Sequence, residues 1–220
     1  MDHAVKICGL STPETLEAAL QAGADWVGFV RFAKSPRHVD LSLGQRLSAL
    51  AKGRAGRVVL LVDAEDAAIA EAVTALDPDL LQLHGHETPE RVAAIRSTFK
   101  KPVMKAIGIA EAGDLAALDA YSAIADHLLL DAKPPKTPEA LPGGNGLPFD
   151  WRLLTGLDPR LSFMLSGGLN PGNVAEAIRL TKARAVDVSS GVEVAPGVKD
   201  SGKIEAFIKA ARAAYAAPVS

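Results

Sequence analysis

The sequence has a single cysteine, Cys8, in 220 residues. An intrachain disulfide and a multi-cysteine zinc site are thereby excluded, and a reducing compartment, the cytoplasm, is the expected location. Charge of one sign is also missing: 24 Lys and Arg stand against 26 Asp and Glu, for a net charge of -2. With no cationic excess to neutralise phosphate backbones or anionic lipid, nucleic acid and membranes are not expected partners. No uncharged stretch approaches the roughly 20 residues that span a bilayer, and Met1 to Lys6 leads into no apolar run, so neither membrane insertion nor secretion is expected. The turn Ile7-Cys8-Gly9-Leu10-Ser11 lacks G-x-G-x-x-G, and no G-x-x-x-x-G-K-[ST] occurs, which excludes the usual dinucleotide and nucleotide cradles. His3, His38, His84, His86 and His127 fall at no recognisable ligand spacing, so no metal site is expected.

What is present is ordinary globular composition, 48% hydrophobic and 23% charged, enough for one core and read as one domain over residues 1–220. Short apolar, β-branched segments recur at Ala4 to Cys8, Trp26 to Val30, Val58 to Val62, Leu80 to Leu83, Val103 to Ile107, His127 to Leu130, Ser162 to Leu165 and Ala185 to Val188. Between them lie segments with helical spacing, including Thr12 to Ala22, Glu65 to Leu76, Pro89 to Ser97, Glu111 to Tyr121, Pro171 to Leu180 and Gly202 to Tyr215. Ser11 or Thr12, Thr88 and Asn170, each close before a proline, are the expected helix caps. Eight strand and helix alternations in a chain of this length predict an α/β fold of the closed (β/α)8 TIM-barrel type, with an open doubly wound sheet as the competing arrangement. The intervals after the second and sixth strands are the long ones, and both extend the C-terminal face of a parallel barrel, where catalytic groups are normally carried.

That face collects the candidate chemistry. Ser166-Gly167-Gly168-Leu169-Asn170 and Ser189-Ser190-Gly191-Val192-Glu193 follow the last two strands, where bare backbone N–H groups commonly converge on a phosphate. Glycines that only permit tight turns are the plainer alternative. Cys8 ends the first strand with Lys6 on its side of the pleat, and a nearby ammonium would lower the thiol pKa and leave a thiolate able to take a proton from carbon. A lone cysteine is otherwise a small core residue. Asp131 follows Leu128-Leu129-Leu130, and a partly desolvated carboxyl there suits a general acid, unless it only anchors the loop. Arg37 offers a planar fork for carboxylate or phosphate, or is a solvated loop arginine. Asp187 orients a hydroxyl or holds the Ser189-Ser190-Gly191 turn, and Gln82 and His84 are read as packing residues with polar partners to find.

These motifs together resemble the phosphoribosylanthranilate isomerase family of tryptophan biosynthesis, over residues 5 to about 208. The landmarks are Val5-Lys6-Ile7-Cys8-Gly9-Leu10, Gly28-Phe29-Val30 leading to Ser35-Pro36-Arg37, Leu81-Gln82-Leu83-His84-Gly85, Leu130-Asp131, Gly143-Gly144-Asn145-Gly146, Leu165-Ser166-Gly167-Gly168-Leu169 and Asp187-Val188-Ser189-Ser190-Gly191-Val192-Glu193. Asn145 and Ala132 depart from the Thr and Ser usual in the family. The resemblance implies a cofactor-free Amadori rearrangement of a small phosphorylated substrate, N-(5'-phosphoribosyl)anthranilate. In it Asp131 protonates the ring oxygen, Cys8 removes the C2' hydrogen, Arg37 pairs with the anthranilate carboxylate, and Gly168, Ser190 and Gly191 with neighbouring amides hold the phosphate. Pro142 to Leu147 reads as a cover over bound substrate, and the chain as a monomer or homodimer. Two other classes stay open: a lyase or aldolase with Lys6 or Lys105 as a Schiff-base amine, and a catalytically silent phosphate-ligand binder.

Overall fold

The computed structural model describes residues 1–134, 142–144, 146 and 148–217. Eight parallel strands close on themselves: β1 (Ala4–Cys8), β2 (Trp26–Val30), β3 (Gly56–Leu61), β4 (Leu80–Leu83), β5 (Val103–Ile109), β6 (His127–Ala132), β7 (Phe163–Leu165) and β8 (Ala185–Val188). The last strand returns to the first, with Lys6 in register with Asp187. The expected TIM barrel is therefore what the chain forms. The strands were legible because parallel strands are covered on both faces and read as nearly unbroken apolar runs.

Around the barrel lie α1 (Pro13–Gln21), α2 (Leu41–Ala51), α3 (Asp66–Leu76), α4 (Pro89–Phe99), α5 (Ala117–Ser122), α6 (Val174–Thr181) and α7 (Ser201–Ala216). Side-chain oxygens cap four of them: Thr12 accepts from Thr15 N, Asp40 from Leu43 N, Thr88 from Arg91 N and Asp200 from Lys203 N. Asn170 is not the cap of α6, which begins after Asn173. Asn170 instead folds a turn, its Oδ1 accepting from Gly172 N and its N–H donating to Asn173 Oδ1, both at 2.8 Å. The helix expected over Glu111 to Tyr121 divides into a 3-10 turn (Ala112–Ala116) and the short α5, with Asp114 Oδ2 holding the N–H groups of Ala110 and Glu111. The named helical segments omitted α2. Its buried face carries Gly44 and Ser48, which dilute the apolar stripe but let α2 sit close against α3: a Cβ on Gly44 would lie 3.0 Å from Leu76 Cδ2, and the Ser48 hydroxyl donates to Leu76 O. Past β8 the chain makes a 3-10 turn (Ser190–Val192) and an antiparallel hairpin, β9 (Glu193–Ala195) with β10 (Val198–Lys199), before α7. Among the described residues no helix is long and apolar enough to cross a membrane.

Strand alternation sorts the barrel into two populations. One parity, with Val5, Ile7, Val59, Leu81, Val103 and Leu130 among many, faces the helices in the main core. The other fills the barrel, and its deep positions are apolar: Ala4, Val58, Leu80, Met104, Leu129, Met164 and Ala185. Moving two residues at a time toward the C-terminal ends, the same inward parity turns polar, reaching Lys6 and Cys8 on β1, Gln82 on β4, Asp131 on β6 and Asp187 on β8, all buried. The fold thus gathers polar groups from distant parts of the chain at one mouth.

Candidate active site

Cys8, Arg37, Gln82, His84, Asp131, Ser166, Gly167, Gly168, Asp187, Ser189 and Ser190 line one pocket at the C-terminal face of the barrel. Both residues expected to carry the acid and base chemistry, Cys8 and Asp131, are there. Gly191 stands immediately behind, where a Cβ on it would meet Leu169 O at 1.8 Å, so the two glycine-rich loops touch through bare backbone. Gly167 and Gly168 have φ of +85° and +67°, a left-handed conformation that glycine adopts without strain. Among the described residues their N–H groups have no protein acceptor, and Asn173 Nδ2 braces the loop by donating to Gly168 O at 3.0 Å. An anion at this point meets donors that are otherwise unpaired.

Lys6 is where alternation put it, but its charge is directed elsewhere. Its Nζ donates to Asp187 Oδ1 at 2.8 Å in a fully buried pair. Burial works against the ammonium, and Asp187 with Cys8 more than offsets this, so the Lys6 pKa is raised. For Cys8 the balance goes the other way from the one expected. Burial pushes the thiol up, Lys6 pulls it down, Asp187 pushes again, and the thiol pKa ends above its ordinary value. The expectation of a thiol acidified by Lys6 is therefore corrected. Gly28 on β2 makes room for both groups, since a Cβ there would lie 3.0 Å from Cys8 Sγ and 3.3 Å from Lys6 Nζ. Asp187 holds Lys6, and its second oxygen lies 3.4 Å from Ser166 Oγ.

Across the mouth, Asp131 lies within β6, one residue before its end, rather than following it. Its Oδ1 accepts from Ala132 N at 2.8 Å, and its Oδ2 faces His84 Nε2 at 3.1 Å. Gln82 Nε2 lies 2.9 Å from His84 Nδ1, so an amide donor at Nδ1 leaves the ring proton on Nε2, against the carboxylate. Gln82 Oε1 has no partner among the described residues. The backbone of Gly143 lies over this pair, where a Cβ would come 2.6 Å from His84 Nε2 and 2.9 Å from Asp131 Oδ2. Of the expected cover, Pro142 to Leu147, the residues Asn145 and Leu147 lie outside the described residues.

Arg37 is a buried, paired arginine, not a solvated one. Nε donates to Glu193 Oε1 at 2.7 Å and Nη2 to Glu193 Oε2 at 2.9 Å, with a further bond from Nη2 to Gly144 O at 3.2 Å. Lys105, the second Schiff-base candidate, lies on the helix-facing parity of β5, bound to Glu87 Oε2 and Gly85 O, each at 2.7 Å. Neither Lys6 nor Lys105 offers a free amine to the pocket. Among the described residues no group of three or more His, Cys, Asp or Glu is placed to hold a metal ion.

The model of the family described as N-(5'phosphoribosyl)anthranilate (PRA) isomerase matches residues 5–210. The chain belongs to this family. The N-(5'-phosphoribosyl)anthranilate isomerase of Nitrobacter hamburgensis is 62% identical over 214 residues, covering 97% of this chain and 95% of that one. A Rhodopseudomonas palustris isomerase of the same name is 61% identical, covering 97% of each chain. The crystal structure of phosphoribosyl anthranilate isomerase from Thermotoga maritima superimposes with a TM-score of 0.85 at 36% identity, over 96% of this chain and 98% of that chain. Another, solved in complex with reduced 1-(o-carboxyphenylamino)-1-deoxyribulose 5-phosphate, gives 0.83 at 34% identity over the same shares. In this isomerase His84, expected as a packing residue, is set against the candidate acid, and the residues to which sequence reasoning assigned no role are Glu193 and Lys199, set against Arg37. Their partners lie 47 and 156 residues away in the chain for His84 and Glu193, so no local pattern announces them.

Proposed function

We propose that this isomerase, an enzyme of tryptophan biosynthesis, converts N-(5'-phosphoribosyl)anthranilate to 1-(2-carboxyphenylamino)-1-deoxyribulose 5-phosphate with Asp131 as general acid and Cys8 as general base. The observation that carries the reading is the placement of an acid and a base at one mouth, with anion-binding groups on either side. Asp131 gives a proton to the furanose oxygen as the C1'–O bond breaks, and the lone pair of the anthranilate amine nitrogen forms the C1' iminium. His84 Nε2 stands against Asp131 Oδ2 at 3.1 Å, and Gln82 holds the imidazole in place. The iminium acidifies the C2' hydrogen, which the Cys8 thiolate removes to give the enol amine. The Cys8 thiol then returns its proton to C1' and the Asp131 carboxylate takes the enol proton, which yields the ketone and restores both side chains.

The ends of the substrate hold it for this chemistry. The open edge of Arg37 faces the anthranilate carboxylate, Gly167, Gly168, Ser189, Ser190 and Gly191 cradle the phosphate, and Asp187 orients a ribose hydroxyl. Binding energy from these unreactive ends goes into orientation. The enzyme works in the cytoplasm on a small molecule, as a monomer or homodimer.

The test is decay of anthranilate fluorescence on adding enzyme to freshly made phosphoribosylanthranilate; a folded protein with no turnover would overturn the reading. In the same assay Gly191→Ala, whose Cβ would meet Leu169 O at 1.8 Å, forces the two phosphate loops apart. A loss of about 10²-fold in kcat/KM is expected, the scale of a misplacement near 1 Å, together with weaker inhibition by inorganic phosphate. Unchanged phosphate inhibition in that variant would remove the loops from the phosphate site.

A further inference from the structure

The mechanism gives no task to Glu193 and Lys199, which are buried beside Arg37. Glu193 opens β9, and its carboxylate meets two cations from different elements. Oε1 accepts from Arg37 Nε and from Lys199 Nζ, both at 2.7 Å; Oε2 accepts from Arg37 Nη2 at 2.9 Å and from Gly197 N at 3.2 Å. All three side chains are buried. Burial works against the Glu193 carboxylate, but Arg37 and Lys199 outweigh it and hold its pKa down to about 2, so it is ionised wherever the enzyme works. Two cations and one anion leave a single positive charge, which suits one carboxylate arriving from the pocket.

Arg37 is gripped on three sides. Its stem crosses the bare backbone of Gly9, where a Cβ would lie 2.7 Å from Arg37 Cδ. Its Nε edge is closed by the bidentate contact with Glu193, and Nη2 also reaches Gly144 O. Among the described residues Nη1 alone of the guanidinium nitrogens makes no hydrogen bond, and the bare backbone of Gly144 lies beside it, where a Cβ would come to 2.7 Å. Lys199 carries the same cluster to the other end of the site, because its Nζ also donates to Ser189 O at 2.9 Å and to Ser189 Oγ at 3.2 Å. Ser189 begins the loop assigned to the phosphate.

We propose that Glu193 is a positioning residue for substrate recognition: it fixes the open edge of Arg37 and, through Lys199 and Ser189, sets the separation between the carboxylate anchor and the phosphate loop. The β9–β10 hairpin is then a gauge for substrate length and for the ring carboxylate, although none of its atoms touches the reacting carbons. This rests on Arg37 being the carboxylate anchor. It makes Glu193 act on selectivity for a carboxylated N-aryl ribose phosphate, without itself touching Cys8 or Asp131.

Two competitive inhibitors test it: reduced 1-(o-carboxyphenylamino)-1-deoxyribulose 5-phosphate and its phenylamino counterpart without the ring carboxylate. Against wild type, Arg37→Ala, Glu193→Gln and the double variant are compared for both inhibitors, with kcat and KM for phosphoribosylanthranilate. Glu193→Gln is expected to weaken the carboxylated inhibitor by about tenfold and the other far less, with the loss in KM rather than kcat, and to add little to Arg37→Ala, as two members of one contact do. Glu193→Asp keeps the charge but cannot span both guanidinium nitrogens, so it shows the same selective loss if the Gln variant fails to fold. Equal weakening of both inhibitors by Glu193→Gln and Glu193→Asp, or no weakening, while Arg37→Ala selectively weakens the carboxylated inhibitor, would overturn the positioning role alone. An Arg37→Ala protein that keeps the wild-type preference for the carboxylated inhibitor would overturn the anchor, and the proposal with it.

Discussion

Cys8→Ser lowers kcat by about 10³-fold, within the range that a positioned base contributes, while KM changes little. Serine nearly matches the shape of cysteine and keeps the packing against Gly28, so the fold should survive, which circular dichroism checks. What is lost is an ionisable group, since the serine hydroxyl gives no useful anion near neutrality. The structure adds a pH signature. The thiol must be deprotonated to act, and burial pushes its pKa above the ordinary value against the opposing pull of Lys6. In wild type kcat/KM therefore climbs with pH and keeps climbing beyond the point where an exposed cysteine would have titrated. A thiolate formed against this resistance is a stronger base toward carbon, which suits removal of a weakly acidic hydrogen. The serine variant should show no such limb. A folded Cys8→Ser enzyme with undiminished kcat, or a wild-type profile already flat at neutral pH, would remove Cys8 as the base.

Asp131→Asn should cost a similar factor, between about 10² and 10⁴ in kcat, for a different reason. The amide oxygen can keep the bond from Ala132 N, which Asp131 Oδ1 accepts at 2.8 Å, and the amide nitrogen takes the place of Oδ2, 3.1 Å from His84 Nε2, so the shape of the mouth is retained. An amide has no proton to give to the furanose oxygen, and ring opening stalls. Arg37 and the phosphate loops are untouched, so binding of the reduced product analogue should stay within about twofold of wild type, the small change usual away from the altered contact. Weak binding together with lost turnover would mean that the carboxylate holds the site in shape, and near-normal turnover would place the acid elsewhere, with His84 the first residue to examine.

The fold and much of the site were readable in advance for identifiable reasons. A strand buried on both sides must be apolar throughout, and a polar residue at its C-terminal end, such as Cys8 or Asp131, stands out against that run. Glycines at two consecutive strand ends stand out likewise. α2 escaped notice because its closest contact uses Gly44 and Ser48, residues that weaken the helical pattern for the sake of the close approach to α3. The state of the thiol was misjudged because parity gave the neighbour of Cys8 and not the direction of its charge. The partner that claims Lys6 is Asp187, 181 residues further along, and only the closed ring of strands brings it near. His84 and Glu193 are cases of the same kind: their significance lies in what they touch, and those contacts join segments with no sequence relation.

The Lys6–Asp187 pair joins the first strand to the eighth, so it also bears on the order in which the molecule is assembled. An emerging chain exposes Lys6 within its first residues, but the carboxylate that accommodates this ammonium arrives only after nearly the whole chain has been made. Until the ring shuts, the lysine has no counterion in the interior, and taking it out of water is unfavourable. The half-built barrel is therefore kept hydrated along this seam and held back from premature collapse. Closure removes the water, sets the electrostatic surroundings of Cys8 and completes the mouth in one event, so catalytic competence in this protein reports that its last strand has found its first.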